Sequence, residues 1–420
     1  MWDTLRNVWR VPELRKKVLY TFFMLLIFRL VSVIPVPGVD GAKVAEQMAG
    51  YDLLGLMNMM TGSALSQMTI MAMGISPYIN ASIIMQLLTI AIPALERLQK
   101  EGGEEGKKKI NKITRYVTVG LAALQAYGII SAFPMGLAEG YDNFLGKLSI
   151  GIIMAGGTAL AMWIGEKITK EGIGNGVSLL IFTGIITNLF NGIVGTARNV
   201  FVGSAAVGTL VVMLVTIFVI LVVVTCIDLS ERRIPVQYAK RVVGRKMYGG
   251  QSTHIPMKLL SVGVLPLIFA YSFMAFPSTI ITMVAKGSGF ATWWADNMAQ
   301  NDVLYLIVCG LLIIAFSYFY TSISFNPQDI AKNIQQQGGH IPGIRTGGKT
   351  VEFLSRTSKR LTLFAAIFLA LMNTVASLLT SFSGIPFGAS SVLIAVSVAL
   401  ETIRQIESQL VMRNYKGFLG

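Results

Sequence analysis

Residues able to do chemistry are scarce in this chain of 420 residues, and they sit where chemistry is hard to run. Its two histidines, His254 and His340, each stand alone in a polar stretch, and its two cysteines, Cys226 and Cys309, lie inside apolar runs. A metal centre needs several such ligands converging, and a disulfide framework needs paired cysteines in exposed loops. Sequences of the Walker A, HExxH and GxSxG types are missing, and GIGNG at 172–176 does not follow a strand, as a dinucleotide-binding turn must. The one ionisable side chain well inside an apolar run is Arg29, while Glu166, Asp228 and Glu401 fall at run ends. Ion- or proton-coupled transport depends on charged groups within the membrane. The pattern therefore points to a passive conduit, with an inverted-repeat secondary transporter as the alternative. The polar residues left inside the runs are neutral ones such as Asn80, Gln86 and Gln125.

The elements that must position these residues follow from composition. Hydrophobic residues make up 53% of the chain and charged residues 13%, with mean hydropathy +0.63. Soluble domains carry about 25% charged residues, and a helical membrane span needs about 20 apolar residues. Ten spans are predicted: Val18–Ile34, Met68–Ile92, Tyr116–Met135, Ser149–Gly165, Val177–Val194, Val207–Ile227, Leu259–Ala285, Val303–Ile323, Leu361–Phe382 and Phe387–Ile403. The run from Gly151 to Ala161 is rich in small residues, which let helices approach closely inside a bundle. Of the 35 lysines and arginines, only Lys43, Lys147, Arg198 and Lys286 fall on one side of this layout. All others except Arg29 fall on the opposite side, which is expected to be cytoplasmic and to carry both termini. The same bias accounts for the net charge of +14 without invoking nucleic acid. Ten spans divide into an N-terminal half, 1–195, and a C-terminal half, 196–420, of opposite starting direction, so related halves would form an inverted repeat.

Three stretches are not simple spans. Leu53–Gln67 reads LLGLMNMMTGSALSQ, too short and too broken to cross a bilayer and too apolar for a free loop. A re-entrant helix shielded by protein or water is expected there. The basic loop 228–258 alternates apolar and charged residues, which predicts a two-stranded hairpin, and the loop 324–360 holds GGHIPGIRTGG, which predicts a structured turn around Arg345. Loops of this length are expected to dock partners.

These stretches resemble the SecY family of protein-translocation channels. The resemblance is carried by IPVPGVD at 34–40, MGISPYINASIIMQLL at 73–88, GEKITKEGIGNGVSLLIF at 165–182, YAKR at 238–241, QSTHIPMK at 251–258 and FNPQDIAKNIQQQGGHIPGIR at 325–345. It implies an all-α integral membrane fold, ten transmembrane helices in two inverted five-helix halves around an hourglass pore, closed by a re-entrant plug helix. The plug maps to Leu53–Gln67, with Leu53, Leu54, Leu56, Met57, Met60 and Leu65 as its apolar side chains. A ring sealing the waist maps to Ile75, Ile79, Ile181, Ile268, Ser272 and Ile394, the serine being the polar exception. Asn80, Gln86 and Gln125 map to a lateral gate, which opens mainly between the second and seventh helices. Arg345, with Lys240, Arg241, Arg245 and Lys246, maps to the surface where the SecA ATPase and the ribosome dock. The remaining implied partners are the SecE and SecG subunits, signal peptides and preprotein chains, and the lipid bilayer of a bacterial cytoplasmic membrane. No cofactor and no catalysis are implied. Physically, a ring of branched aliphatic side chains resists ion leak by dewetting when it is empty.

Overall fold

A computed structural model describes residues 9–416 except 49–56, 59, 133–135, 139, 204–205, 239–240, 244–245, 249–251, 261–262, 264, 285–287, 299–301 and 384–388. The helices are α1 (Pro12–Val31), α2 (Gly41–Met48), α3 (Ser76–Ala91), α4 (Pro93–Lys100), α5 (Gly103–Ala132), α6 (Phe144–Glu171) and α7 (Gly176–Phe201). After them come α8 (Val207–Asp228), α9 (Leu265–Val284), α10 (Gly289–Asn297), α11 (Val303–Ser324), α12 (Pro327–Gln336), α13 (Gly348–Ser383) and α14 (Ala389–Lys416). Each of the ten predicted spans falls on one of the longer helices. By length and composition alone, six described helices are able to cross a membrane, and the bent pair α3–α4 would make a seventh. The charges in α1 and in the second half of α14 reflect helices that run past their apolar stretch.

Local chemistry sets the helix starts. Proline occupies the first turn of α1 and of α3, where its missing N–H costs nothing. The side-chain oxygen of Asn175 caps α7 by accepting from the amides of Val177 and Ser178, and Asn326 caps α12 by accepting from Gln328. The second span begins later than the sequence predicts. Residues 68–75 are turns rather than helix, because Met68 and Gly74 take positive φ (46° and 52°) and Pro77 defines the start of α3. At its far end α3 meets α4 at 104°, a break set by Pro93.

Packing follows the small residues. Helices α5 and α6 form a close pair, and Gly157 on α6 approaches the 68–75 turn so nearly that a Cβ would lie 1.9 Å from the carbonyl oxygen of Ile70. Helices α1 to α7 contact chiefly one another, as do α8 to α14. Contacts of α9 with α3 and α5, and of α14 and α8 with α7, join the two groups. Helix α8 is apolar on every side, and Val211, Val215, Phe218 and Val219 are exposed, as a lipid-facing helix requires.

The two basic loops fold together. Strand β1 (Glu231–Tyr238) pairs antiparallel with β4 (Ser252–Lys258), so the predicted hairpin is present, and β2 (Arg241–Val243) pairs with β3 (Lys246–Tyr248) at its tip. The sequence gives no sign that β5 (Gly339–His340), from the second loop, adds to the free edge of β1. Ile234, Val236 and Met257 from the first loop share one apolar core with Ala331, Ile334 and Ile341 from the second and Leu354 at the start of α13.

Candidate functional site

Five isoleucines from four helices are all members of one large buried apolar core, which they share with residues such as Phe28, Ile185, Met213, Tyr305 and Leu369. Ile75 caps α3, Ile79 lies one turn along it, Ile181 is on α7, Ile268 on α9 and Ile394 on α14. Their exposures run from 1% at Ile181 to 5% at Ile75, so the cluster is shut. Ser272, four residues past Ile268 and on the same face of α9, is also buried. An open cavity of 490 Å³ ends on Ile79, Ile181 and Ile268, and its mouth is polar, lined among others by Asn111, Arg115, Glu166, Thr169 and Lys170. Arg115 makes a paired contact there, its Nε and Nη2 donating to the two carboxylate oxygens of Glu166 at 2.8 and 2.6 Å.

Helix α7 orders the site along its length. The cavity touches Asn175, Val177, Ser178 and Ile181. On the far side of Ile181 the same helix meets the 57–68 segment. Gly184 lets the Met60 carbonyl approach to where a Cβ would stand 2.1 Å away, and Asn188 bonds the segment directly. Ile181 and Asn188 are about 10 Å apart along the axis at 1.5 Å per residue. The isoleucine cluster thus lies between the cavity and the segment.

That segment is less helical than expected. Leu53, Leu54 and Leu56 lie outside the described residues; the described part has helical residues at 57–58 and 60–61 and turns from 62 on. Met57 and Leu65 are buried in a second apolar cluster with Val36, Met73, Ile130 and Met154, and Met60 packs against the isoleucine cluster. Asn58 folds the turn: its carbonyl accepts from Thr61 Oγ1 (3.1 Å) and from the Ser63 amide (2.9 Å), and its side chain accepts from the Ser66 amide (2.8 Å). Arg29 is half-buried, and its Nη2 donates to the Gly62 carbonyl at 3.3 Å. The sequence marks Arg29 as unusual but does not single out Gly184 or Asn188. The available signal for the latter is an amide in the otherwise apolar GIITNLF.

The three gate candidates are divided between helices. Asn80 on α3 and Gln125 on α5 are buried, and the Gln125 carbonyl oxygen has no hydrogen-bond partner among the described residues. Gln86 donates to Ser82 Oγ at 3.4 Å and reaches Tyr320 on α11. Helix α3 does contact α9. The sequence reading missed a polar tie behind α9, where Tyr271 donates to Asn373 Oδ1 on α13 and Asn373 Nδ2 donates to Cys309 Sγ on α11 at 3.7 Å.

In the loops, Arg345 is exposed on the predicted turn, which is closed by the bonds Ile344 N–H to Ile341 O (3.1 Å) and Thr350 Oγ1 to Arg345 O (3.0 Å). Arg241 and Lys246 stand on the paired strands β2 and β3, and Lys240 and Arg245 lie outside the described residues.

Comparisons with known proteins bear on the family and the fold. The sequence model of the SecY family matches residues 69–403. A protein translocase subunit SecY of Streptomyces galbus is 42% identical over 98% of this chain and 98% of its own. Among solved structures, a SecY protein whose plug domain stabilises the closed translocation channel superposes with TM-score 0.70 at 19% identity, over 93% of this chain and 91% of that one. Sec61 in a canine ribosome–channel complex superposes with TM-score 0.67 at 18% identity, over 93% and 91%.

Proposed function

The chain belongs to the SecY family, a family of multi-pass membrane channel subunits, and on that premise we propose that it is the central subunit of a secretory translocon. It conducts unfolded preproteins across the membrane and releases apolar segments sideways between α3 and α9. The observation that carries this reading is that Ile79, Ile181 and Ile268, buried in the core from three helices, line the inner end of a polar-mouthed cavity. A conduit for chains of every sequence needs a waist without fixed polar partners, because an apolar ring excludes water and ions when empty and deforms when filled. Ile75, Ile79, Ile181, Ile268 and Ile394 form that waist, with Ser272 as its polar member.

The finer assignments are of the same standing. Residues 53–67 act as the plug, and Asn80, Gln86 and Gln125 tune the lateral gate. The halves 1–195 and 196–420 clasp the pore, which the packing of α1–α7 and of α8–α14 among themselves supports. The membrane is the bacterial cytoplasmic one, with the basic loops and both termini inside, supported by the lopsided lysine and arginine distribution. SecE and SecG are its membrane partners, and SecA and the ribosome dock at the joined loops around Arg345, Lys240, Arg241, Arg245 and Lys246.

A preprotein stalled in transit and carrying a thiol-reactive probe tests the conduit. It should crosslink to Ile79→Cys, Ile181→Cys and Ile268→Cys and leave Val211→Cys and Phe218→Cys, on the exposed face of α8, unlabelled. Equal labelling of the two sets would remove the conduit from these helices.

A further inference from the structure

We propose that Asn188 on α7 and Arg29 on α1 are positioning residues that latch the plug in the closed channel, separately from the apolar seal. The proposal rests on the reading of 53–67 as a plug. The Asn188 amide is used on both sides by the segment: its Oδ1 accepts from Ser63 Oγ at 2.6 Å and its Nδ2 donates to the Asn58 carbonyl at 3.2 Å. Arg29 Nη2 donates to the Gly62 carbonyl at 3.3 Å from α1, which packs beside α7. The three contacts grip residues 58, 62 and 63, which form the turn where the segment leaves its helical part. Gly62 and Ser63 both have left-handed φ, 69° and 68°. A non-glycine residue in that conformation is held by its surroundings, here by the Ser63 amide donating to the Asn58 carbonyl at 2.9 Å and the Ser63 hydroxyl donating to Asn188.

The chemistry suits a latch better than a permanent joint. Apolar contacts such as those of Met57 and Leu65 hold the segment down but give no fixed register on α7. Three directional bonds give that register. All three partners are polar groups that water can satisfy once the segment leaves, so release exchanges protein bonds for water bonds at modest net cost. Gly184 is the structural complement, because only a residue without Cβ lets the Met60 carbonyl lie against α7 at this point. An arginine inside a span calls for a partner of this kind, and the plug carbonyl supplies one.

The test is planar-bilayer recording of the full translocon, comparing the open-to-closed ratio of the parent with Ser63→Ala, Asn188→Ala and Arg29→Gln. Asn188→Ala removes two bonds and should raise the ratio about tenfold, the change equivalent to 1.4 kcal/mol. Ser63→Ala and Arg29→Gln should each raise it severalfold, and Ser63→Ala added to Asn188→Ala should change it little further. Asn188→Ala and Arg29→Gln, which lie outside the segment, are then made in a chain lacking Leu53–Gln67. A latch predicts no added leak there, whereas a packing role in α7 or α1 adds the same increment in both backgrounds and overturns the proposal. An unchanged ratio for Asn188→Ala at normal protein level also overturns it. If the deletion itself stays closed, the plug reading fails and the latch with it. A deletion that leaks while the substitutions do not sinks the latch alone.

Discussion

At the scale of the residue, the proposed waist is a matter of side-chain type at five positions. Ile268 and Ile394 are each 2% exposed within the same cluster, so an amide placed there is buried among aliphatic carbons. A buried polar group without a partner costs about 1–3 kcal/mol, and that cost falls on the closed state only, since a filled or wetted pore solvates the amide. Ile394→Asn or Ile268→Asn should therefore shift the channel toward opening and allow export of preproteins with defective signal sequences. Unchanged export of those substrates at normal protein level would return both positions to ordinary core packing. Spacing alone does not separate these isoleucines from the rest of the core: Ile75 and Ile79 share a helix face, as any amphipathic pair does. What made them legible was the order of motifs around them, GISPYI, VSLLIF, GVLPLIF and SSVLIAV. Asn188 and Gly184 stayed hidden because their roles depend on a neighbour more than a hundred residues away, which no local period records.

At the scale of the element, hydropathy made the long helices legible because a bilayer imposes both length and composition on them. It misjudged the second span. The residues 68–75 are as apolar as a helix, with Met68, Met71, Ala72 and Met73 all buried, but positive φ at Met68 and Gly74 holds them as turns against α6. These turns connect the proposed plug to α3, and its residues 58 to 63 that contact Asn188 and Gly184 lie beside α7. Removing Leu53–Gln67 should leave an inserted protein that leaks ions, because the second apolar cluster would lose Leu65 and Met57 while the helices keep their own contacts. Planar-bilayer traces as quiet as those of the parent would show that the segment does not close the pore. A second element-level tie joins α8 to α14. Arg404 Nη2 lies 2.6 Å from Asp228 Oδ2 and donates to the Asp228 carbonyl, with Asp228 only 6% exposed at its side chain. Breaking a buried pair strands one charge and costs about 3–5 kcal/mol, whereas replacing both partners by apolar groups is often neutral. Arg404→Leu should thus lower the unfolding temperature in detergent, and Arg404→Leu with Asp228→Leu should recover most of the loss. A double variant no more stable than the single would show that the pair is not the source.

At the scale of the whole molecule, the proposed conduit takes its energy for export from a docking partner. The large basic surface available is the unit built by both loops. Its joining through β5 and a common core matters here: Ile341, the residue after the Gly339–His340 strand, is buried in one cluster with Ile234 and Leu354, which fixes the turn that carries Arg345. The arginine itself is exposed, with its carbonyl held by Thr350. The sequence showed the turn but not its anchorage, because a two-residue strand has no period to read. A guanidinium so presented offers a planar fork for a carboxylate or phosphate on a docking partner. Truncating one member of a buried interfacial charge pair costs about 2–5 kcal/mol, and far less at a rim. Arg345→Glu is therefore expected to stop SecA-driven uptake of preprotein into vesicles while insertion, folding and assembly with membrane partners survive. Arg345→Lys should be partly defective, because an ammonium makes no paired contact. SecA binding measured in parallel separates lost docking from lost coupling. Parent-level uptake by the glutamate variant would mean that Arg345 is only a solvated loop residue, and that force reaches the pore through some other part of the joined loops.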